Sequence, residues 1–258
     1  MSSEHPETKK RLRNTAAGHV LVLVAAFVLF FSSGCNLASN GNNLQGKRFF
    51  KVGDYNRAVT SFQKGITNNP RNADSYYNLG AVYHELAKRN QNNAYLPYAE
   101  NYYRQAIQLN DQHVEAHRSL AVLLVETQRQ NHGFDLIRTW QQRHPNSPEP
   151  LIELARLHQE FGDEPRAVQY LADAIGIDGR NARAHKAMAV IREKQGQYHL
   201  ALDNYIRSYQ SNNMQPDVSQ RIAALQSRLQ TASLPNYQFQ NRQSAINQPG
   251  SARQYVPR

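Results

Sequence analysis

One small side chain recurs at a fixed stride through this chain. The first step of the column is 41 residues and the next three are 34 residues each, at Ala58, Ala99, Gly133, Ala167 and Ala201. A bulky column keeps the same strides at Phe62, Tyr103, Ile137, Leu171 and Tyr205. A third apolar column does so at Leu79, Leu120, Leu154 and Met188. Three columns in register predict one supersecondary unit repeated about five times, and therefore a stack of units instead of one globular core.

Each unit is predicted to be two helices joined by a turn. In the second copy, Tyr76, Leu79 and Tyr83 are spaced three and four apart, which places them on one face of a helix. Glycines that can end a helix in a left-handed conformation stand between the halves of most copies, at Gly53, Gly162 and Gly196. The small column lets the two helices approach closely, and the bulky column fills the space beside it.

This combination of spacing, turn glycines and residue sizes resembles the tetratricopeptide repeat, a helix–turn–helix unit of 34 residues. The resemblance implies an all-α fold, an α–α superhelix, with repeats at 39–72, 73–113, 114–147, 148–181 and 182–215. The chain departs from the repeat pattern at three places. Gln45-Gly46 replaces the usual Leu-Gly in copy one, copy three lacks the turn glycine, and copy two carries an insertion around Asn92 whose role the sequence does not show.

A further helix is predicted after the last repeat, over 216–230. Pro216 suits a first helical turn, and one apolar stripe follows it at Val218, Ile222, Leu225 and Leu229. Such a helix can cover the open end of a stack of repeats. The following residues, 231–258, are rich in Asn, Gln, Ser, Pro and Arg, which predicts a disordered basic tail.

The first 34 residues have the pattern of an export signal. Basic residues precede an apolar run over 20–31, which is too short for a comfortable membrane span. The following Ser32-Ser33-Gly34-Cys35 resembles the lipoprotein box of bacteria, which implies a signal peptide over 1–34, acyl chains on Cys35 and a short tether over 35–38. The alternative is an uncleaved anchor. Both alternatives place the repeats on the periplasmic side of the envelope. In the lipoproteins that this segment resembles, an Asp after the cysteine favours the inner membrane, so the resemblance and Asn36 imply the outer membrane instead.

The net charge of +10 does not indicate a nucleic-acid-binding protein, because the basic residues are scattered and form no stripe with aromatic residues. Weak attraction to anionic head groups or wall polymers and an ordinary solvated surface remain the alternatives. We find no catalytic motif, and we predict no enzyme and no cofactor. The pair His113 and His117 has a spacing that metal ligands use, but His113 is expected in a turn and His117 in the packing. No metal site is therefore predicted.

In the family that this chain resembles, the first helices of the repeats line a groove that binds protein segments. Matching positions imply these groove residues: Tyr77, His84, Glu85, Arg118, Glu126, Arg156, Glu160, Lys186 and Lys194. The resemblance thus implies an adaptor for peptide segments of envelope proteins, similar in architecture to pilotin-type lipoproteins and to lipoproteins that scaffold cell-wall hydrolases. A glycan-binding accessory of exopolysaccharide export is the alternative, with sugars stacking on Tyr76, Tyr77, Tyr83, Tyr102 and Tyr103.

Overall fold

The structure, a computed structural model, describes residues 39–233, and every regular element in this range is helical. The predicted signal peptide, the lipidation site at Cys35 and the tail from residue 234 onward lie outside the described residues. None of the described helices is both long enough and apolar enough to cross a membrane.

The described helices follow one another with short connections. The described part of α1 covers 39–51. The others are α2 (Tyr55–Asn68), α3 (Ala73–Asn90), α4 (Leu96–Leu109), α5 (Val114–Glu126), α6 (Gln130–Arg143), α7 (Pro148–Glu160), α8 (Glu164–Ile177), α9 (Ala182–Lys194), α10 (Tyr198–Ser211) and α11 (Pro216–Ser233). A short 3₁₀ turn at Asn93–Tyr95 precedes α4.

The chain divides into two compact units, Met1–Leu136 and Ile137–Arg258, and the boundary falls inside α6. In unit 1, α3 packs on α2, on α4 and on α5. In unit 2, α8 packs on α7, α9 on α8, α10 on α9 and α11 on α10. Each unit is thus a row of helical hairpins, and the predicted all-α repeat fold is confirmed.

Side-chain caps mark the N-terminus of five of these helices. At the N-terminus of a helix the first backbone N–H groups have no helical partner, and a side-chain acceptor can take one of them. Asp54, Asn72, Asp163 and Asn181 each accept the N–H of the residue three positions later. At α5 the cap is His113, whose Nδ1 accepts the N–H of Ala116.

The three turn glycines have the left-handed backbone that their positions require. Their φ angles are 80° at Gly53, 77° at Gly162 and 74° at Gly196. Copy three forms its turn without glycine, because Gln128 adopts a φ of 60°. Beside it, the hydroxyl of Thr127 donates to the carbonyl of Leu123 at 2.8 Å, which helps to hold the turn. The insertion of copy two likewise starts at a left-handed residue, Gln91.

The predicted columns form the core. All members of the small, bulky and third columns are buried. Within unit 1, Ala58, Phe62 and Leu79 belong to one hydrophobic cluster, and Ala99 and Tyr103 belong to the next. Unit 2 shows the same arrangement at its last hairpin, where Ala201 and Tyr205 pack with Val218 and Leu225 of α11.

Two helical glycines are required by close packing. A Cβ added at Gly80 would lie 2.8 Å from the ring of Tyr103 and 3.2 Å from the carbonyl of Ala99. A Cβ at Gly46 would lie 2.5 Å from the ring of Phe62. Copy one therefore keeps the glycine of the usual Leu-Gly pair, which has no room for a side chain, and departs from the pair only at Gln45.

The last helix is longer than its sequence predicts. It continues to Ser233, three residues beyond the predicted end at 230 and into the segment predicted as tail. In its last turn the hydroxyl of Thr231 donates to the carbonyls of Ser227 and Arg228, at 3.1 and 2.9 Å. These bonds engage the helical backbone at residues where composition alone indicated disorder.

We predict opposite effects from two glycine-to-alanine substitutions. Gly80→Ala should lower the free energy of unfolding, because overpacking costs about 1–3 kcal/mol and outweighs the helix-propensity gain of about 0.5–1 kcal/mol. Gly176→Ala, in α8 with no atom within 4 Å of the added Cβ, should keep that gain. Urea unfolding followed by circular dichroism measures both, and an unfolding midpoint of Gly80→Ala at or above that of the native protein would contradict the packing argument.

Candidate functional site

The predicted groove residues lie on the first helices of the hairpins, and we call this surface of each unit its first-helix face. In unit 1 it comprises Tyr77, His84 and Glu85 on α3 with Arg118 and Glu126 on α5. In unit 2 it comprises Arg156 and Glu160 on α7 with Lys186 and Lys194 on α9. The two faces are considered separately below.

Glu126 is the centre of the face in unit 1. Its Oε1 lies 2.8 Å from Nζ of Lys88, and its Oε2 lies 2.8 Å from Nε2 of His84. Burial opposes the charged form of Glu126, but the hydrogen bonds from Lys88 and His84 outweigh burial and lower the pKa of the carboxyl. Both partners belong to α3, so this carboxylate ties two successive first helices together.

His84 lies beneath the surface, with only 7% of the residue exposed. A carboxylate only accepts hydrogen bonds, so Nε2 carries the proton towards Glu126. Nδ1 is then the acceptor for the hydroxyl of Tyr103, 3.3 Å away. Burial lowers the pKa of His84 in spite of the neighbouring Glu126 carboxylate. The ring therefore positions Glu126 and offers little surface to a ligand, although the sequence predicts it as a groove contact.

The rest of the face in unit 1 mixes packing with charge. The ring of Tyr77 lies 5.0 Å from the ring of His113. Nε2 of His113 is 3.2 Å from a carboxylate oxygen of Asp74, and this contact lowers the pKa of Asp74. Glu85 and Arg118 are half-buried. Tyr77 thus lines the face, but part of its ring already packs against neighbouring side chains of the protein.

A buried carboxylate holds the face in unit 2. Glu153 of α7 is fully buried. One of its oxygens lies 3.1 Å from Nε of Arg156 and the other lies 2.6 Å from Nη2 of Arg183 on α9. The two guanidiniums compensate a charge that would otherwise be costly to bury. Arg183 also pairs with Glu149, and Nη1 of Arg156 lies 3.0 Å from Glu160.

Sequence reasoning missed Glu153. The matched positions of the other four copies hold Leu44, Asn78, Ser119 and Ala187, so this column shows no recurring charge. The available signal was local. Glu153 and Arg156 are three apart on one helix, a spacing at which opposite charges meet.

A cavity of about 560 Å³ opens between α9, α10 and α11, and we call it the α9–α11 pocket. Its lining residues are Lys186, Val190, Glu193, Lys194, Tyr198, Tyr205, Asp217, Arg221 and Arg228. Lys186 and Lys194 are the two that the sequence analysis above names as groove residues. The lining residues from α10 and α11 could not be found by matching first helices, because they lie on other elements of the fold.

Three contacts order the α9–α11 pocket. Nζ of Lys186 lies 2.5 Å from Asp217 and lowers the pKa of that carboxyl. The hydroxyl of Tyr205 donates to Glu193 at 2.9 Å, and Nη1 of Arg221 lies 3.3 Å from the same carboxylate. Burial and the bond to Glu193 raise the pKa of Tyr205. The carboxylates of the pocket are therefore both engaged.

The tyrosines proposed for sugar stacking do not form one surface. Tyr103 is only 2% exposed and belongs to the core. Tyr83 and Tyr102 stack on each other, with ring centres 5.6 Å apart, while Tyr77 packs on His113. The exposed ring of the cluster is Tyr98, which stacks 5.4 Å from Tyr83 and which the sequence did not single out. This distribution does not favour the glycan alternative.

The histidine pair considered as metal ligands has other contacts. His113 caps α5, and Nδ1 of His117 lies 3.1 Å from the carbonyl of His113. Within residues 39–233, no three side chains of His, Cys, Asp or Glu are grouped so that they could hold a metal ion.

We predict that His84 makes the protein less stable in mild acid. In the unfolded chain a histidine binds a proton near pH 6.5, whereas the folded protein resists protonation of His84. Its contribution is therefore present above about pH 6.5 and is lost as the pH falls through the lower folded pKa. His84→Gln should flatten the fall in unfolding free energy between about pH 7 and 5. His199→Gln, at an exposed histidine of α10, is the control, and equal slopes for both variants would contradict the prediction.

Comparisons with known proteins agree with this fold. A family model described as "TPR repeat" matches residues 46–86, which include part of α1, all of α2 and most of α3. Among curated proteins, no sequence matches significantly.

Solved structures of tetratricopeptide proteins resemble the chain. The thermophilic protein TTC0263 of Thermus thermophilus has 16% identity and a TM-score of 0.54, covering 73% of this chain and 98% of its own. Pseudomonas aeruginosa pilF has 15% identity and a TM-score of 0.48, covering 82% and 99%. At 16% identity the similarity to TTC0263 concerns the fold alone. The family model for the tetratricopeptide repeat thus matches one segment of the chain, and the fold of the described residues resembles that of a tetratricopeptide protein.

Proposed function

We propose that this chain is a non-catalytic adaptor of the bacterial envelope that binds segments of other proteins through its first-helix faces. The observation that carries the proposal is the pairing between successive first helices. Glu126 joins α5 to α3, Glu153 joins α7 to Arg183 of α9, and Lys186 joins α9 to Asp217 of α11. Repeat proteins generally use such extended surfaces to bind partners.

The pairing favours binding because it orders polar side chains and leaves them accessible. The side chain of Glu126 is 39% exposed and that of Lys186 is 38% exposed, although both are paired. A side chain that is already held in one rotamer loses less conformational entropy when a partner arrives, a saving of about 0.5–1.5 kcal/mol for each such residue. The faces are thus preorganised for a protein segment.

The proposed anchor is a set of acyl chains on Cys35, on the periplasmic side and more in keeping with the outer membrane than with the inner one. Several acyl chains hold a protein firmly, whereas a single chain holds it only marginally. The described part of α1 starts at residue 39, close behind Cys35. A short tether of this kind would keep the adaptor near the bilayer, which suits assistance in assembling a pilus or secretion complex or a cell-wall complex.

The membrane anchor is tested by Cys35→Ser. If Cys35 carries the acyl chains, most of the native protein fractionates with membranes and the variant moves to the soluble periplasmic fraction. Mass spectrometry of the native protein should then show the mass of the lipid on residue 35. A variant that stays in the membrane fraction would instead favour the uncleaved anchor and would contradict lipidation.

The binding faces are tested by placing a photo-crosslinking amino acid at single positions in cells. Glu85 on α3 and Glu160 on α7 are the test sites, and Gln63 on α2 and Ala172 on α8 are matched exposed sites on second helices. We expect light-dependent adducts with the same envelope protein from both test sites and about tenfold weaker adducts from the controls. Adducts of equal yield at Gln63 and Ala172 would move the binding surface away from the first helices.

A further inference from the structure

The charges of the α9–α11 pocket are unequal. Four cationic side chains line it, but only two carboxylates, Glu193 and Asp217, do so. Both carboxylates already have partners, since Asp217 pairs with Lys186 and Glu193 pairs with Arg221. Two cations, Lys194 and Arg228, have no carboxylate within ion-pair distance in the described part of the chain. The pocket therefore presents an excess of positive charge to any occupant.

One of these two cations is fixed in place. The guanidinium of Arg228 lies 4.1 Å from the centre of the Tyr198 ring, an arrangement in which the cation is attracted to the face of the ring. A stacked guanidinium keeps its N–H donors available around its edge, where a carboxylate can accept two of them. Arg228 is thus oriented for an anion that no described residue supplies.

The same pocket has an apolar side. Val190 and Tyr198 are half-buried, pack against the core of the last hairpin, and line the cavity beside Tyr205. The volume of about 560 Å³ lies within the usual range of ligand pockets, about 300–1,000 Å³. An occupant that fills it would combine negative charge with an apolar group.

We propose that the α9–α11 pocket binds an acidic segment of a partner protein, with carboxylate side chains on Lys194 and Arg228 and an apolar side chain against Val190 and Tyr198. This inference rests on the proposed adaptor function and names the partner chemistry for one end of unit 2. A protein segment is favoured over a phosphate polymer because Glu193 and Asp217 line the same cavity. Their carboxylates would repel a dense polyanion, whereas backbone N–H groups of a peptide can donate to them.

The residues that follow α11 in this chain have the wrong charge for the pocket. Residues 234–258 include Arg242, Arg253 and Arg258 and contain no Asp or Glu. Since the pocket has an excess of cations, we expect a separate acidic protein to occupy it and not this basic segment.

The test uses the purified full-length protein and two fluorescent peptides with amidated ends. One peptide alternates Asp and Glu around a central Leu, and its neutral twin has Asn and Gln in their place. Fluorescence anisotropy should show that the acidic peptide binds about tenfold more tightly than the twin. The double variant Lys194→Gln, Arg228→Gln should remove that difference and keep its helicity by circular dichroism.

The matched control is Lys51→Gln, Lys64→Gln, which removes the same two charges at exposed positions of α1 and α2. It should change the affinity for the acidic peptide less than about twofold, because Lys51 and Lys64 lie outside the pocket. General attraction depends on net charge and not on position, so it would instead weaken binding equally in the two double variants. Equal losses in the two double variants would overturn the inference, and so would equal affinity for the two peptides.

Three outcomes distinguish a failure of this inference from a failure of the function on which it rests. If polyphosphate binds in a manner that depends on Lys194 and Arg228 and the acidic peptide does not bind, the pocket recognises phosphate and the inference fails. If the adducts at Glu85 and Glu160 persist and the acidic peptide shows no preference, the adaptor function stands and only the inference fails. If no adducts form at Glu85 and Glu160 in cells but the purified protein still prefers the acidic peptide, the adaptor function is contradicted and the inference about the pocket is not.

Discussion

The close approach of the two helices in each hairpin is the constraint on which the rest of the structure depends. At Gly80 the backbone of α3 meets the ring of Tyr103 and the carbonyl of Ala99, leaving no room for a methyl group. The same contact fixes the direction of the Tyr103 side chain, which carries its hydroxyl through the core to His84 on the first-helix face. Packing inside the hairpin therefore determines which polar group contacts the residues of the first-helix face from below.

This connection recurs where the bulky column holds a tyrosine. Tyr205 occupies the position of Tyr103 in the last repeat, and its hydroxyl reaches Glu193, which occupies the position of His84. In the two copies between them the bulky column holds Ile137 and Leu171, which have no hydroxyl to donate. The copies thus share one hairpin geometry, but the bulky column holds a tyrosine in two of them and an aliphatic side chain in the two between. Where it is a tyrosine, its hydroxyl can orient a polar side chain on the first-helix face.

The repeat could be predicted from the sequence, but the contacts of the charged residues on the first-helix faces could not. The core columns and the turn glycines followed from spacing, because close packing restricts size at each crossing whatever the neighbours are. The ion-pair partners of the charged residues could not be predicted from spacing. A long side chain can reach several helices, and which carboxylate or cation it contacts depends on its rotamer and on the distance between the helices. Glu153 shows this difference: its column is occupied by Leu, Asn, Ser or Ala in the other copies, and its buried charge is compensated both by Arg156 of the same helix and by Arg183 from the next first helix.

The last helix gives the clearest case of how position decides the role of a charge. Along the first helices of unit 2, Arg183 is engaged by Glu149 and Glu153 of the preceding first helix. In the described part of the chain, α11 follows the last repeat in the place of a further first helix, and its Asp217 engages Lys186. The same helix also brings Arg221 and Arg228, so it adds more positive charge than it neutralises. The apolar stripe of α11 covers the core of the last hairpin, while its polar residues line the α9–α11 pocket. In that pocket the cationic side chains outnumber the carboxylates, and apolar side chains lie next to them.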